Sequence, residues 1–294
     1  MSLFENRCLA YRYFTREEGF DFRQKSAIGV GGKAEICFCP KSLAELTALL
    51  GLFEKDGVEY DTLGNLTNVL PTDGDTKRVI LRLNNLQEIF FSECVFAYAG
   101  VQASAFTAAC KKSGLSGAEF LTGIPCTIGG ALFMNAGAGG RYIASIVDSV
   151  LVYRNGALRL YAKDACEYAY KSSVFMREKC VIVGANFRLE KATIEEIEGK
   201  EEEYKRRRLH LPKGRSMGCV FKNPENAFAG ELIEKSGLKG MRIGGARISE
   251  THGNFILNDG GATAADIKRL ILLAKNAVYA QYGVRLEEEI RYLE

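Results

Sequence analysis

The sequence predicts an α+β protein, in which short strands and helices are mixed along the chain. Short apolar runs rich in β-branched and aromatic residues alternate irregularly with helical repeats. The composition changes near residue 190 to a highly charged stretch, and a well-delimited helix follows later, from Thr263. These observations predict two mixed units before about residue 190 and a third after it.

The first elements follow from local signals. AEICFC, residues 34–39, predicts a strand. Ser42, with Glu45 three residues later, predicts a capping box for a helix that ends at Gly57. A second helix is expected over Gln102–Ser113. Further strands are expected at residues 58–63, 78–83, 95–98 and 180–189, and in a hairpin of 148–153 with 157–162 around Asn155-Gly156.

Two later helices are better delimited. Residues 193–210 run from acidic to basic, an order that favours a helix dipole and predicts an exposed linking helix. The helix from Thr263 has Asp266 in a box-like position and ends at Gly283. VRLEEEIRYL, residues 284–293, is then expected to continue as a strand.

Composition excludes several classes of protein. The chain has 294 residues, nine scattered cysteines and two histidines, with no C-x-x-C pair, so no zinc site is expected. A net charge of +3 is too small to indicate nucleic-acid binding. No apolar run is long enough for a membrane helix, and MSLFENRCLAYRYF does not resemble a secretion signal. We therefore expect a soluble cytoplasmic protein with reduced thiols.

Two glycine-rich segments differ in how strongly they indicate a ligand-binding site. GVGGKA, residues 29–34, fits a dinucleotide fingerprint on paper, but a strand follows it where that motif requires a helix. The segment Gly123–Gly140 contains six glycines interleaved with Thr127 and Asn135. Its backbone N–H groups are suited to cradle phosphate oxygens, although a tight loop packed between strands remains the alternative.

Single reactive residues are ambiguous by themselves. Cys219 in SMGCVFKNP is a nucleophile, an acid or another buried thiol. In an extended strand Glu288 shares a face with the apolar residues, whereas Glu287 and Glu289 point the other way; a solvated edge is the simpler interpretation. Lys171 in YKSSVF is ordinary when taken alone.

Taken in order, these segments resemble the bacterial UDP-N-acetylenolpyruvoylglucosamine reductases, the MurB-type flavoenzymes. The resemblance covers roughly residues 20–293 and includes TLGNLTNVLPTDG, GLSGAEFLTGIPCTIGGALFMNAGAGG, YKSSVF, GCVFKNP, AGELIEKSGLKG, ARISETHGNFILN and LEEEI. The direct passage from YKSSVF to the strand near Cys180 is similar to the shorter, type II branch, which lacks an inserted substrate loop.

The resemblance implies a two-subdomain FAD-binding module of the vanillyl-alcohol-oxidase/PCMH type with a C-terminal α+β substrate domain. The implied domains are residues 1–75 and 76–190 for FAD and 191–294 for substrate. It also implies NADPH as reductant, a UDP-sugar as the small-molecule partner, and reduction of its enolpyruvyl ether in peptidoglycan precursor synthesis. No nucleic acid or membrane partner is expected, and the chain is expected to be a monomer or weak oligomer.

The resemblance also assigns roles. Cys219 matches the serine that protonates C2 of the substrate, and a thiol, with an ordinary pKa of about 8.5, donates a proton more readily than an alcohol. Lys171 matches an arginine that stabilises developing charge, and Glu289 completes the catalytic set. Substrate contacts are implied for Tyr170, Lys222 and Asn223. Flavin contacts are implied for Gly64, Asn65, Leu66, Thr67, Asn68, Gly123, Ile124, Pro125, Thr127, Gly129, Gly130, Asn135 and Gly137.

Three positions depart from the family pattern. Lys171 replaces a planar arginine with a point charge. Leu66 and Thr67 stand where Gly-Ser is usual, and Cys126 replaces a glycine, which requires strain if its φ is positive.

Three alternatives to the reductase remain open. The alternatives are another FAD oxidoreductase of the same fold, a non-catalytic flavin or nucleotide-sugar binding paralogue, and a cysteine hydrolase built on Cys219 and His252. The departures at Lys171, Leu66 and Cys126 are the only support for the paralogue, and no triad pattern supports the hydrolase.

Overall fold

The computed structural model describes residues 10–293, so the first nine residues of the N-terminal segment, including Cys8, and Glu294 lie outside it. Two compact units are built from interleaved segments. Unit one contains the segment ending at Glu18, then Ile36–Gly64 and Arg78–Arg208. Unit two contains Gly19–Glu35, Asn65–Lys77 and the segment from Leu209 onward. The predicted boundaries after residues 75 and 190 stay a prediction.

The helices of the described chain are α1 (Phe22–Lys25), α2 (Leu43–Asp56), α3 (Ala103–Lys112), α4 (Ile128–Met134), α5 (Ile194–Arg208), α6 (Ala229–Lys235) and α7 (Ala264–Tyr282). Its strands are β1 (Arg16–Asp21), β2 (Lys33–Phe38), β3 (Tyr60–Thr62), β4 (Val69–Pro71), β5 (Val79–Leu81), β6 (Ile89–Phe91), β7 (Val95–Tyr98), β8 (Leu115–Ser116), β9 (Gly137–Ala138), β10 (Arg141–Tyr142), β11 (Val147–Arg154), β12 (Ala157–Ala162), β13 (Val181–Phe187), β14 (Glu190–Lys191), β15 (Arg215–Cys219), β16 (Arg242–Ile243), β17 (Ala246–Ile248), β18 (Phe255–Asn258) and β19 (Arg291–Leu293).

Unit one is organised by an antiparallel sheet of order β12-β11-β13-β7-β6. The predicted hairpin at Asn155-Gly156 forms its edge, and both turn residues have positive φ, as a two-residue hairpin turn requires. A second sheet has the order β1-β2-β5-β3, with β2 and β3 parallel to β5. Phe38, Phe53 and Phe106 belong to the core of this unit.

The predicted ends of helix α2 are confirmed, but its predicted capping box is wrong, because the Glu45 carboxylate bonds elsewhere. The Ser42 hydroxyl accepts from the Glu45 N–H at 3.1 Å, and Gly57 adopts the left-handed C-cap conformation. The Glu45 carboxylate, however, accepts from Thr15 N at 2.6 Å and Lys41 N at 2.7 Å. It therefore ties down the chain before the helix, and these bonds lower its pKa although burial opposes the shift.

Unit two contains the antiparallel sheet β15-β18-β17-β16, against which α7 packs. The predicted Thr263/Asp266 capping box and the left-handed Gly283 end are confirmed. The apolar residues that recur at helical spacing along α7 are buried, as an amphipathic helix requires: Ile267, Leu270, Ile271, Ala274 and Val278.

The predicted long strand after Gly283 is wrong, because only Arg291–Leu293 are regular. This strand pairs in parallel with β4, and the preceding residues make separate backbone bonds to the chain after β15 instead of a continuous ladder. The alternation expected of an extended chain holds as far as Ile290, since Leu286 and Ile290 are both buried, and it fails after that residue, where Tyr292 is 37% exposed.

Candidate active site

Strand β15 delivers Cys219 to an irregular end of the sheet in unit two. The register with β18 shifts between Ser216 and Cys219, and Cys219 lies opposite Phe255. Gly218 has a φ of +74°, a conformation that costs a side-chain-bearing residue energy. Cys219 is half-buried as a residue, and proton donation to a ligand would require that its thiol be accessible.

The backbone after Cys219 is hydrogen-bonded to the backbone of the C-terminal glutamates. The Glu289 N–H donates to the Val220 carbonyl at 2.8 Å, and the Lys222 N–H donates to the Glu287 carbonyl at 2.8 Å. The Asn68 side-chain amide donates to the Glu289 carbonyl at 3.0 Å. Unit two therefore brings together three segments that the sequence separates widely: the thiol, the C-terminal glutamate and the first predicted flavin loop.

Lys222 and Asn223 have partners within unit two. The Lys222 ammonium pairs with the Glu287 carboxylate at 2.5 Å. The Asn223 side-chain oxygen accepts from Ala229 N at 3.1 Å, at the start of α6. These bonds hold the two side chains in defined positions, and their contact with substrate stays a prediction.

Leu66 in the first loop adopts a left-handed conformation with φ +50°, where the family pattern has glycine. Such a conformation costs about 1–2 kcal/mol for a residue with a side chain. The Leu66 side chain is only 2% exposed, and burying a leucine stabilises by roughly 1.5–3 kcal/mol. Burial thus offsets the backbone cost, and this departure leaves the loop folded.

The glycine-rich segment of unit one contains helix α4, which the sequence reasoning missed. Thr127 caps it, its hydroxyl accepting from Gly130 N at 3.2 Å. A Cβ on Gly64 would lie 2.7 Å from the Thr127 hydroxyl oxygen, and one on Gly129 would lie 2.8 Å from the Ala99 Cβ. Because side chains do not fit there, both glycines are required for the close approach of neighbouring segments.

Cys126 carries none of the strain that a positive φ would impose. The residues of the described chain with positive φ that are not glycine are Leu66, Asn135, Asn155, Glu167, Lys171 and Asn226. Burial raises the pKa of the Cys126 thiol to about 12, a shift that the positive charge of Arg208 opposes. Cys126 is therefore a neutral, packed thiol.

Asn135 ends α4 and links it to the segment that carries Lys171. Its side-chain amide donates to the Ala169 carbonyl at 2.8 Å, and its oxygen accepts from Ala144 N at 3.2 Å. The Ser173 hydroxyl donates to the Phe133 carbonyl at 2.7 Å. Asn135 is buried and bonded to protein backbone, so its expected flavin contact stays a prediction.

Lys171 lies at the tip of a tight hairpin. The backbones of Ala169 and Ser172 exchange two hydrogen bonds of 3.1 Å, which leaves Tyr170 and Lys171 between them. Lys171 has a φ of +52°, and Tyr170 is 43% exposed with its ring edge on Tyr142. The hairpin presents Tyr170 at the surface of unit one, and its strained second residue is consistent with a functional position.

Unit one also offers a setting that fits an FAD group. The glycines allow close packing here: a Cβ on Gly64 would meet the Thr127 hydroxyl oxygen, so the start of the first predicted flavin loop lies against the second predicted flavin segment. The Thr122 hydroxyl oxygen, directly before Gly123, is buried without a protein hydrogen-bond partner. A buried hydroxyl of this kind suits a polar ligand. The sequence reasoning missed Thr122, although its place beside the glycine was a usable signal.

The predicted site residues fall in both units. Lys171, Tyr170 and the segment from Gly123 to Gly137 belong to unit one, whereas Cys219 and Glu289 belong to unit two. Their assembly into a single site stays a prediction. Within residues 10–293, no group of three or more His, Cys, Asp or Glu side chains is arranged to hold a metal ion.

His252 provides a pH-sensitive contact in unit two. Its Nδ1 accepts from Asn254 N at 3.2 Å, which requires that this ring nitrogen carry no proton. Burial lowers the pKa of His252 from 6.5; Lys239 adds to this shift and Glu234 opposes it. The unfolded chain therefore binds the proton more tightly, and stability falls as the pH drops below about 6.5 toward the lowered value.

We accordingly expect the melting temperature to fall between pH 7.5 and pH 5.5, and His252→Asn to reduce the fall, because the asparagine oxygen accepts the same bond without titrating. Thermal unfolding followed by circular dichroism at both pH values measures this, with His210→Asn as the matched control. An unchanged pH dependence in His252→Asn would contradict the assignment.

Comparisons with known proteins define the class of protein first. Residues 34–157 match a family model described as an FAD binding domain. Residues 210–293 match the C-terminal domain of UDP-N-acetylenolpyruvoylglucosamine reductase. With the mixed architecture described above, these matches confirm an α+β flavoprotein with an FAD-binding domain followed by a C-terminal domain of this reductase type. Its assignment to the vanillyl-alcohol-oxidase/PCMH type stays a prediction.

Whole-chain relatives then identify the family. UDP-N-acetylenolpyruvoylglucosamine reductases from Geobacter metallireducens and Alkaliphilus oremlandii are 40% and 35% identical, over 90% and 92% of this chain and 90% of each relative. The crystal structure of the Thermus caldophilus enzyme (MurB) superposes with a TM-score of 0.82 at 30% identity, covering 96% of this chain and 99% of that one. The chain belongs to the UDP-N-acetylenolpyruvoylglucosamine reductase (MurB) family.

Proposed function

We propose that this protein uses NADPH and FAD to reduce the enolpyruvyl ether of UDP-N-acetylglucosamine enolpyruvate to UDP-N-acetylmuramate, a peptidoglycan precursor. The family membership supports the reaction and its cofactors. The observation that carries the proposal is the backbone coupling of Glu289 to Val220, directly after Cys219, at 2.8 Å. It joins the backbone next to Cys219 to the backbone of Glu289, two segments of one unit that are far apart in the sequence.

Bound FAD would supply the hydride chemistry, with NADPH as the source of the hydride and C3 of the enolpyruvyl group as its destination. The glycine backbones near Thr127 and the Thr122 hydroxyl would hold the cofactor, as would the predicted loop Gly64–Asn68. In this assignment the residues that hold FAD come from unit one and, after Gly64, from unit two, which also supplies the proposed proton chemistry.

Cys219 is the proposed proton donor. Hydride addition at C3 leaves negative charge delocalised between C2 and the neighbouring carboxylate, and a proton must then reach C2. Its place at the irregular end of the ladder between β15 and β18, in a half-buried residue, supports this role. The resulting thiolate recovers a proton from solvent before the next turnover, so the step balances without a further reactant.

Lys171 and Glu289 complete the proposed set. The Lys171 ammonium would stabilise the anionic intermediate, as a positioned cation does where charge develops. Glu289 would act as a carboxylic acid or through a bound water. Substrate contacts are proposed for Tyr170, Lys222 and Asn223. No contact described for Cys219 or His252 favours the cysteine hydrolase, since the His252 Nδ1 is bonded to backbone.

The partner is proposed to be the UDP-sugar alone, with neither nucleic acid nor membrane, and a cytoplasmic monomer or weak oligomer remains the expectation. Among helices of residues 10–293, none has the length and apolar character needed to cross a bilayer.

The decisive experiment separates the two halves of the reaction. Purified protein is expected to be yellow with FAD that denaturation releases, and its visible absorbance should bleach on anaerobic addition of NADPH. Subsequent addition of the enolpyruvyl UDP-sugar should restore the absorbance and yield UDP-N-acetylmuramate, with UDP-N-acetylglucosamine as an inert control. Bound flavin that bleaches but is not reoxidised by this substrate would favour another FAD oxidoreductase, and protein without flavin would refute the proposal.

A further inference from the structure

We propose that Asn254 is a positioning residue that holds the backbone next to Cys219 and thereby sets the direction of the thiol. The inference rests on the proposed role of Cys219. Asn254 belongs to unit two and lies in the turn between β17 and β18, within ARISETHGNFILN. The sequence reasoning assigned no function to it.

The hydrogen-bond ladder of β15 and β18 ends beside Cys219. The last registered pair is Cys219 with Phe255, and the Val220 N–H then donates to the Asn254 carbonyl at 2.9 Å. Beyond this point the Asn254 side chain makes the hydrogen bonds that the backbone of a neighbouring strand would otherwise make. Its oxygen accepts from Phe221 N at 2.8 Å, and its amide donates to the Phe221 carbonyl at 2.8 Å.

Only a carboxamide of this length makes both bonds to Phe221. It presents one acceptor and one donor side by side, as a neighbouring strand residue would. Asn254 is 3% exposed, so loss of the side chain leaves a buried N–H and a buried carbonyl without partners. Each such group costs about 1–3 kcal/mol, which makes any other placement of the Phe221 backbone unfavourable.

The opposite edge of the same segment is bonded to the C-terminal carboxylate region. Val220 accepts from Glu289 N, and Lys222 donates to the Glu287 carbonyl. Residues 220–222 are therefore held between Asn254 on one side and residues 287–289 on the other. Loss of the Asn254 side chain removes the hydrogen bonds on one edge of residues 220–222. This segment follows Cys219 and is bonded to the backbone of Glu289 along its other edge.

The turn before Asn254 directs its side chain. The His252 Nδ1 accepts from Asn254 N at 3.2 Å, and the His252 carbonyl accepts from Phe255 N at 3.1 Å. A Cβ on Gly253 would lie 2.5 Å from the Gly230 carbonyl oxygen, so the turn packs against α6. These contacts fix the backbone from which the Asn254 carboxamide reaches Phe221.

The test measures the two half-reactions of the complete flavoprotein by anaerobic stopped flow. Asn254→Ala should leave flavin reduction by NADPH within about twofold of wild type, because hydride transfer does not use the thiol. Reoxidation by the enolpyruvyl UDP-sugar should slow ~10²-fold, since a misplacement of about 1 Å costs that much in rate. The solvent deuterium isotope effect on reoxidation should rise, because proton transfer becomes limiting.

Asn258→Ala is the matched control. Asn258 lies in the same strand β18 and also bonds to backbone: its amide donates to the Ile28 carbonyl at 2.9 Å, and its oxygen accepts from Gly260 N at 2.9 Å. Its loss should lower the melting temperature without selective slowing of reoxidation and without a larger isotope effect. Asn254→Gln keeps a neutral carboxamide that is one methylene too long for both bonds to Phe221; it should show the same selective slowing of reoxidation and serves if the alanine variant does not fold.

Equal slowing of both half-reactions in the Asn254 variants, or the same selective pattern in Asn258→Ala, overturns the positioning role. An isotope effect that stays at the wild-type value does so as well. Failure of the wild-type flavoprotein to be reoxidised by the enolpyruvyl UDP-sugar instead refutes the proposed function itself, so the two failures are distinguishable.

Discussion

Replacement of Cys219 with alanine is expected to leave flavin reduction by NADPH intact and to slow reoxidation by the enolpyruvyl UDP-sugar by ~10²–10⁴-fold, the usual contribution of a general acid. The thiol is needed only after hydride has reached the substrate. Cys219 is partly exposed at the end of β15, so the smaller side chain leaves no large cavity and flavin content should not change. Stopped-flow absorbance for each half-reaction, with FAD content and melting temperature, measures this.

Cys219→Ser is the matched variant, because a hydroxyl has nearly the same size and the family pattern places serine here. It should recover most of the reoxidation rate that alanine loses. Cys94→Ala controls for removal of a thiol elsewhere, since Cys94 is half-buried like Cys219 and lies outside the segments proposed to hold flavin or substrate. Full turnover in Cys219→Ala would refute the proton-donor assignment.

Lys171→Gly is expected to lower turnover by ~10²–10³-fold, the typical effect of removing one group that stabilises developing charge. Lys171 has a φ of +52°, which glycine adopts without strain and alanine does not. The free energy of unfolding should therefore be roughly 1 kcal/mol higher for Lys171→Gly than for Lys171→Ala, so that the glycine variant is the more stable. Both variants lose the same catalytic charge. Steady-state rates, FAD content and chemical denaturation of both variants measure these differences.

The comparison of glycine with alanine separates charge from backbone conformation at this hairpin. Lys171→Arg keeps a cation and should retain more turnover than either, although the guanidinium differs in shape from the ammonium. If flavin content and turnover fall in parallel in Lys171→Gly, the lysine has a structural role instead.

Helix boundaries were predictable wherever local chemistry decides them. Ser42 and Gly57 delimit α2, and Thr263 and Gly283 delimit α7, because caps act within one turn of the chain. The hairpin at Asn155-Gly156 was predictable for the same reason. The second partner of the α2 capping box was not, since the Glu45 carboxylate bonds to Thr15, thirty residues away.

The extended region after Gly283 shows the limit of pattern reasoning. Alternating side chains predicted a strand of ten residues, but the backbone of Glu287 and Glu289 bonds to Lys222 and Val220. Such distant bonds replace a regular ladder, and no local periodicity signals them. The α4 helix was hidden in a similar way, because its many glycines obscured the Thr127 cap.

By itself, the sequence determined the α+β class, the capped helices, the hairpin and the ordered set of motifs that belongs to a flavin-dependent reductase. Only the tertiary structure decided that Glu289 bonds to the backbone of Val220 next to Cys219, that Asn254 completes the sheet at Phe221, and that burial compensates the left-handed Leu66. The physical reason is the range of the interactions. Caps and turns are satisfied by neighbouring residues, whereas these contacts depend on hydrogen bonds and packing between segments far apart in the chain.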